Sequence, residues 1–330
     1  MLTEKENYLR MLRGEMPEFL PKYDMMGWGV ICSLFADLKN EAGVKINEFG
    51  VELSTTKEAG GATMPAPGKY ILDDITKWRD VIKAPDLSGV DWEKLAKKDL
   101  ANKDPNNPLF AYCGAQFMPL MDFMGFTEGL CAMYEEPEEV YALFEYITDY
   151  NLELEKNMIK YYKPDIYYLC DDTATAHNPF ISLDMYRSLV KPFQKKQADL
   201  ARENGLLVQM HNCGRSEDQI DDWLELGVAA WDPAQVSNDL LGIKKKYGRR
   251  LVLNGCWDSS GPVSWTTTDD QVLKDALVEY VDTFAPGGAF GFAAHVMGSI
   301  DDPDAKRKMD IIDKFYWDYA RDWYKNHGEA

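Results

Sequence analysis

The feature that most constrains this chain is a rhythm in which short apolar runs of strand length alternate with longer amphipathic stretches. The apolar runs cover 109–116, 166–170, 206–210, 228–231, 251–253 and 289–294, and helical patterns occupy 137–160, 183–204, 217–226, 240–247, 269–284 and 304–324. Such alternation is the pattern of βα units around a parallel sheet. After the breakers Pro17 and Pro21, residues 22–29 read as a further strand running into a loop loosened by Gly27 and Gly29. That makes about seven units, close to the eight of a (β/α)8 barrel, and 330 residues suffice for one such domain spanning 1–330. No G-x-G-x-x-G motif follows the first strand, so the α/β class is read as a TIM barrel rather than an open doubly wound sheet.

Ahead of the barrel, Thr3 and Glu6 have the spacing of a capping box, and Tyr8, Leu9, Met11 and Leu12 supply an apolar stripe up to Gly14. A short N-terminal helical extension is expected. The charged segment 78–104, with two short helical patterns, reads as a peripheral excursion.

The formal charge of −19 opposes sequence-independent attraction to nucleic acid. Lys244, Lys245 and Lys246 with Arg249 and Arg250 read as a solvated helix end. No apolar run approaches the roughly 20 residues of a membrane helix, and the N-terminus is polar, so no membrane association and a cytoplasmic location are expected. The six cysteines lack a paired short-spacing framework, which suits reduced thiols, some of them free to act as ligands.

In a barrel, polar residues just after strands line the catalytic face. Here these are Asp24, Gln116, Asp171 with Asp172, His211 with Cys213, Asp232, Cys256 with Asp258, and His295. His211 and Cys213 are the most informative pair, because residues at i and i+2 of an extended chain share a side and both can reach one Zn²⁺. The alternative is a neutral imidazole and a thiol bonded to loop groups. Cys256 offers a third ligand from a later strand, or else a buried core thiol. Of the consecutive Asp171 and Asp172, one faces inward as ligand, acid/base or anchor, and the sequence does not say which. Tyr23, Trp28, Phe117, Met118, Trp231, Trp257 and Phe290 flank the strand ends, and two or three of them are expected to touch a ligand.

The segments Asn7 to Gly14, Asp171 to Phe193, Met210 to Gly214 and Leu253 to Asp258, in that order, resemble the superfamily of uroporphyrinogen decarboxylases and cobalamin-dependent methyltransferases. The decarboxylase branch carries an arginine-rich segment after the first strand. Here Asp24-Met25-Met26-Gly27-Trp28-Gly29 stands in that place, so the tetrapyrrole reading is disfavoured. The methyltransferase branch binds zinc through His-x-Cys and a distant thiol in a Pro-Gly-Cys motif; here that motif reads Pro286-Gly287-Gly288, leaving Cys256 or an Asp171/Asp172 carboxylate as substitutes.

The resemblance is greatest to methyltransferase components of corrinoid-dependent aryl-ether O-demethylases. It implies a methyl donor that is a small aromatic methyl ether, and a partner corrinoid protein whose cobalamin accepts the methyl group. Zinc is implied on His211, Cys213 and Cys256, with His211, Asp171 and Asp172 as catalytic residues. Tyr23, Asp24, Trp28, Gln116, Phe117 and His295 are then expected at the substrate, and Asn212, Gly214 and Asp258 at the cobalamin. A lid drawn from residues 24–30, with Trp28 stacking on the arene, goes with this reading. A homodimer is compatible with it, and a methylcobalamin:thiol methyltransferase is the alternative activity.

Overall fold

Seven parallel strands form one curled sheet in the computed structural model, which describes residues 1–55, 63–299 and 301–329. In chain order the described strands are β1 Gly29–Val30, β2 Leu53–Thr55, β3 Thr63–Pro65, β4 Phe110–Ala111, β5 Ile166–Cys170, β6 Leu207–His211, β7 Val228–Ala234, β8 Val252–Gly255 and β9 Phe290–Phe292. The sheet order is β1-β4-β5-β6-β7-β8-β9, while β2 and β3 make a separate antiparallel pair. Each neighbour in the large sheet is reached through helices, as parallel pairing requires.

The curl has an inside and an outside, and the strand pleat sorts residues between them. Ile166 and Tyr168 of β5 join an inner cluster with Phe110, Ala230, Val252 and Ala289, whereas Tyr167 and Leu169 join the outer cluster between sheet and helices. The outer layer includes the packed helices Pro137–Asn157 and Lys191–Glu203. The helix Glu4–Leu12 forms with both halves of its capping box, and its Tyr8, Leu9, Met11 and Leu12 complete the inner cluster. The N-terminal extension therefore fills the barrel interior rather than decorating its surface.

The sheet is barrel-like without full closure. Its edge strands β1 and β9 are not paired, and the gap is spanned by an isolated parallel bridge between Lys22 and Phe292. The reason is local. Residues expected to continue as strand and loop instead form the helix Met25–Trp28, capped by Asp24, whose Oδ1 accepts the Gly27 N–H at 2.8 Å. The backbone before this helix serves β9, with Tyr23 N–H donating to Phe292 O, and the backbone after it serves β4.

The run at 109–116 also shortens, to Phe110–Ala111, because Phe117 opens the helix Phe117–Met124. The 78–104 excursion holds the short helices Trp78–Val81 and Trp92–Asp99. No described helix is long and apolar enough to cross a membrane.

Candidate metal centre and active site

On β6 the pleat puts Leu207, Gln209 and His211 on the inner side, and the extended chain carries Cys213 to the same side two residues on. His211 Nε2 lies 3.7 Å from Cys213 Sγ and 3.7 Å from Asp172 Oδ1. One ligand atom from each of Asp172, His211 and Cys213 lies within 4.8 Å of the others, a spacing that one metal ion can bridge. The Cys213 N–H also donates to Asp172 Oδ1 at 2.7 Å, tying the two strand ends together.

Behind the cluster is a second layer of polar groups. His211 Nδ1 lies 3.0 Å from Asp232 Oδ2 and 2.9 Å from the Tyr168 hydroxyl, which itself donates to Asp232 Oδ2 at 2.5 Å. Gln209 Nε2 donates to Asp232 Oδ1 at 2.7 Å and to the Tyr23 hydroxyl, while its Oε1 accepts from Tyr8. With Nδ1 turned to a carboxylate, the Nε2 lone pair points at Asp172 and Cys213, the arrangement in which histidine ligates zinc. Burial alone pulls the His211 imidazolium down, but Asp232 and the neighbouring thiols outweigh it and hold the ring well above its ordinary value, so a metal ion binds Nε2 by displacing its proton.

The adjacent aspartates part company. Asp172 faces the cluster, whereas Asp171 is buried on the outer side and accepts the backbone N–H groups of Gln116, Phe117 and Met118 at 3.3, 2.9 and 2.9 Å. It caps the helix Phe117–Met124 from another element, and burial lifts its carboxyl to about 6. The expected catalytic role of Asp171 gives way to this structural one.

Two cavities meet at His211 and Met25. The larger, about 520 Å³, is lined by Tyr23, Asp24, Asp232, Asn254, Trp257 and His295 among others; the smaller, about 300 Å³, opens toward β1, β4 and β5. Tyr23, Asp24 and His295 thus lie where a substrate could touch them.

Several expected site residues are elsewhere. Cys256 is not in the cluster: its buried thiol belongs to the outer core, where burial raises it strongly and Lys244 of the helix Leu240–Tyr247 acts on it. Gln116 points between helices, donating to Gln197 and Thr148, and Phe117 stacks on Phe180. Trp28 is inside the barrel, its ring 4.9 Å from that of Tyr8 and 5.6 Å from that of Tyr23, and it lines neither cavity at His211.

Asn212 is buried against Thr173 and Ser216; Gly214 lies so close to the Ala174 and Thr175 carbonyls that a Cβ would meet Thr175 O at 2.4 Å; and Asp258 caps the turn at Ser260 and Gly261. None of these three lines either cavity. Conversely, Tyr168 and Asn254 carry no site signal in the sequence, because a tyrosine or amide within an apolar run looks like core; Gln209 is legible only as the start of the segment Gln209 to Gly214 around which the active site is expected.

The architecture is similar to that of a methyltransferase from Methanosarcina mazei, with a TM-score of 0.62 at 14% identity over 96% of this chain and 100% of that one. This likeness defines the class of fold. Residues 42–261 match the uroporphyrinogen decarboxylase (URO-D) family, and the chain belongs to that family. No curated protein matches the sequence.

Proposed function

We propose that this protein is a corrinoid-dependent methyltransferase that moves a methyl group from an O-methyl donor, an aryl methyl ether, to Co(I) of a corrinoid carried by a partner protein. The observation that carries the reading is the Asp172, His211 and Cys213 cluster, backed by Asp232 and reached through His211, which lines two cavities, in a chain of the uroporphyrinogen decarboxylase family. The structural similarity to a methyltransferase supports it.

The donor set of one carboxylate, one imidazole and one thiol suits Zn²⁺, and the carboxylate on Nδ1 fits the usual support of a zinc-bound histidine. When bound, the ion supplies Lewis acidity at the departing oxygen. The chain's own residues do the rest. Asp232 and Tyr168 fix the His211 ring, the Cys213 amide fixes Asp172, and the cavity walls hold the ether with its methyl group free on the side away from the ring. The methyl carbon takes the electron pair of Co(I) as the C–O bond breaks; the bond pair stays on oxygen, and the phenolate leaves to take a proton from water.

Among the described residues no arginine lines either cavity, and in the larger one Asp24 and Asp232 stand against the single lysine Lys22, which opposes a substrate bearing many carboxylates. The test is a spectrophotometric screen in which reduced corrinoid and purified protein are mixed with methoxyarenes, with methylcobalamin and thiols in a parallel arm, and with uroporphyrinogen in a third. Methylation of Co(I) by a methoxyarene is expected. Turnover only in the thiol arm, or coproporphyrinogen formation, overturns the proposal. Zinc analysis of wild type against Asp172→Ala, His211→Ala and Cys213→Ala tests the metal separately, with one ion per chain expected in wild type and loss in each variant.

A further inference from the structure

His211 ends β6, so the two cavities it lines lie at the C-terminal ends of the strands. A third cavity, about 290 Å³, lies at the other ends. Trp28, Leu109 and Asp165 in its wall stand just before β1, β4 and β5, three neighbours in the sheet. Lys5 of the first helix, Lys163, and the loop carrying Lys103, Asp104 and Asn107 complete the polar part of the lining. None of these residues belongs to the metal cluster or to the cavities at His211.

Three lysines face this cavity against two aspartates, in a chain whose net charge is −19. Both acids are already committed. Asp165 pairs with Lys5 at 2.7 Å and accepts the Leu109 N–H at 3.0 Å, while Asp104 Oδ1 closes its own turn by accepting the backbone and side-chain N–H groups of Asn106. Two cations are left without a carboxylate. Lys103 Nζ donates to Gly27 O and Gly29 O, two neutral acceptors that hold the ammonium in place, leave it one N–H and do not cancel its charge. The Lys163 ammonium has no hydrogen-bond or ion-pair partner among the described residues.

The neutral donors point the same way. Trp28 is 4% exposed and lines the cavity, and its indole N–H meets no acceptor among the described residues. Buried donors are nearly always paired, so an unpaired one in a cavity wall marks where an acceptor belongs. The Asn107 side-chain amide, in the same wall, also has no partner among the described residues. Two uncompensated ammonium groups and two neutral N–H donors therefore face one space. A carboxylate brings one charge and two oxygens to them; a phosphate brings close to two charges at neutral pH and at least three oxygens.

We infer that the cavity between Trp28, Lys103, Asn107 and Lys163 is an anion site that takes a phosphate group, as the free ion or as the end of a small phosphomonoester. Lys103 and Lys163 supply the charge, and the Trp28 and Asn107 N–H groups fix the oxygens. The site stands apart from the metal cluster and does not depend on the methyl-transfer reading.

The experiment is isothermal titration of the purified protein at pH 7 and low ionic strength, with inorganic phosphate in one arm and glycerol 3-phosphate in the other. Saturable binding at one site per chain is expected, and the tighter arm tells which source of phosphate the site prefers. Phosphate also ligates zinc, so the titration is repeated on His211→Ala, where binding should be unchanged. Lys163→Glu changes only an exposed side chain and is expected to weaken binding tenfold or more. Trp28→Phe keeps a ring beside Tyr8 and Tyr23, removes the N–H and should weaken binding severalfold. In ¹H–¹⁵N spectra the Trp28 indole signal, identified by its loss in Trp28→Phe, should move along the same saturation curve. No saturable binding in either arm, binding undiminished by Lys163→Glu, binding lost in His211→Ala, or a Trp28 indole signal indifferent to phosphate overturns the site.

Discussion

Replacing Asp171 tests the division of labour between two consecutive carboxylates. Asp171 is 1% exposed, and its two oxygens take the N–H groups of Gln116, Phe117 and Met118, the N-cap and first two residues of the helix Phe117–Met124. The next residue, Pro119, has no N–H, so this single carboxylate satisfies the whole first turn.

Hydrogen bonds to a charged acceptor contribute about 1.5–3 kcal/mol each, and the charge gains a further ~0.3–2 kcal/mol from the helix dipole. Burial opposes this, since it lifts the carboxyl to about 6, although the group stays mostly ionised at pH 7. Asp171→Ala leaves three donors in a dry site and is expected to cost about 3–5 kcal/mol, whereas Asp171→Asn keeps one acceptor and should cost about 1–3 kcal/mol. Urea unfolding at pH 7 measures both, and zinc affinity measured alongside should stay within about twofold of wild type for the Asn variant. Asp172→Ala should show the opposite pattern, with metal lost and stability nearly kept. A change below about 0.5 kcal/mol for Asp171→Ala, the range of ordinary surface changes, refutes the capping argument. So does loss of zinc in Asp171→Asn equal to that in Asp172→Ala.

Asp232→Asn keeps the shape but sets an NH2 group against donors from His211, Tyr168 and Gln209, and should weaken zinc binding about 10–100-fold in chelator competition; unchanged affinity would separate Asp232 from the metal. Glu155 is fully buried with neither side-chain oxygen hydrogen-bonded, and burial raises its carboxyl to about 9. Its folded value lies above its unfolded one, so the protonated form is favoured by folding and stability is lost as pH rises from about 4.5 toward 9, with a ceiling near ~1.4 kcal/mol per pH unit. Glu155→Gln should flatten that slope in urea titrations at pH 5, 7 and 8.5, and a parallel slope in the variant would place the pH dependence elsewhere. Trp28→Ala should cost about 3–5 kcal/mol as a core truncation, read by the shift in urea midpoint; a near-neutral change would contradict its place beside Tyr8 and Tyr23.

The parallel architecture was legible because the strands from β5 to β9 are mostly buried on both faces and the helices on one, so the two kinds of segment differ in length and period without reference to any partner. The helix 240–247 begins and ends where the sequence put it, and Thr3 with Glu6 caps the first helix as their spacing implied. His211 and Cys213 fall on one side for an equally local reason, the two-residue period of extended chain. Which side that is depends on the curl of the whole sheet.

The same holds for Asp171 and Asp172. β5 is apolar throughout and buried at every position but its last, so nothing in Ile166–Cys170 marks an inner face, and the parity was set only when Tyr168 met Phe110 inside and Leu169 met the helices outside. Cys256 shows the limit from the other end. Its place after a strand made it a plausible ligand, but the strand ends at Gly255, and positive φ at Gly255 and Cys256 (116° and 61°) carries the thiol to the outer core beside Lys244, against the parity that puts Val252 and Asn254 inside. Asp232, Tyr168 and Gln209 gained their role through contacts spanning 21 to 64 residues of chain, such as Tyr168 to Asp232 and His211 to Asp232. Local pattern determined the elements and the one ligand pair that lies within a single element; pairing across strands, which depends on register and sheet curvature, decided every other member of the site.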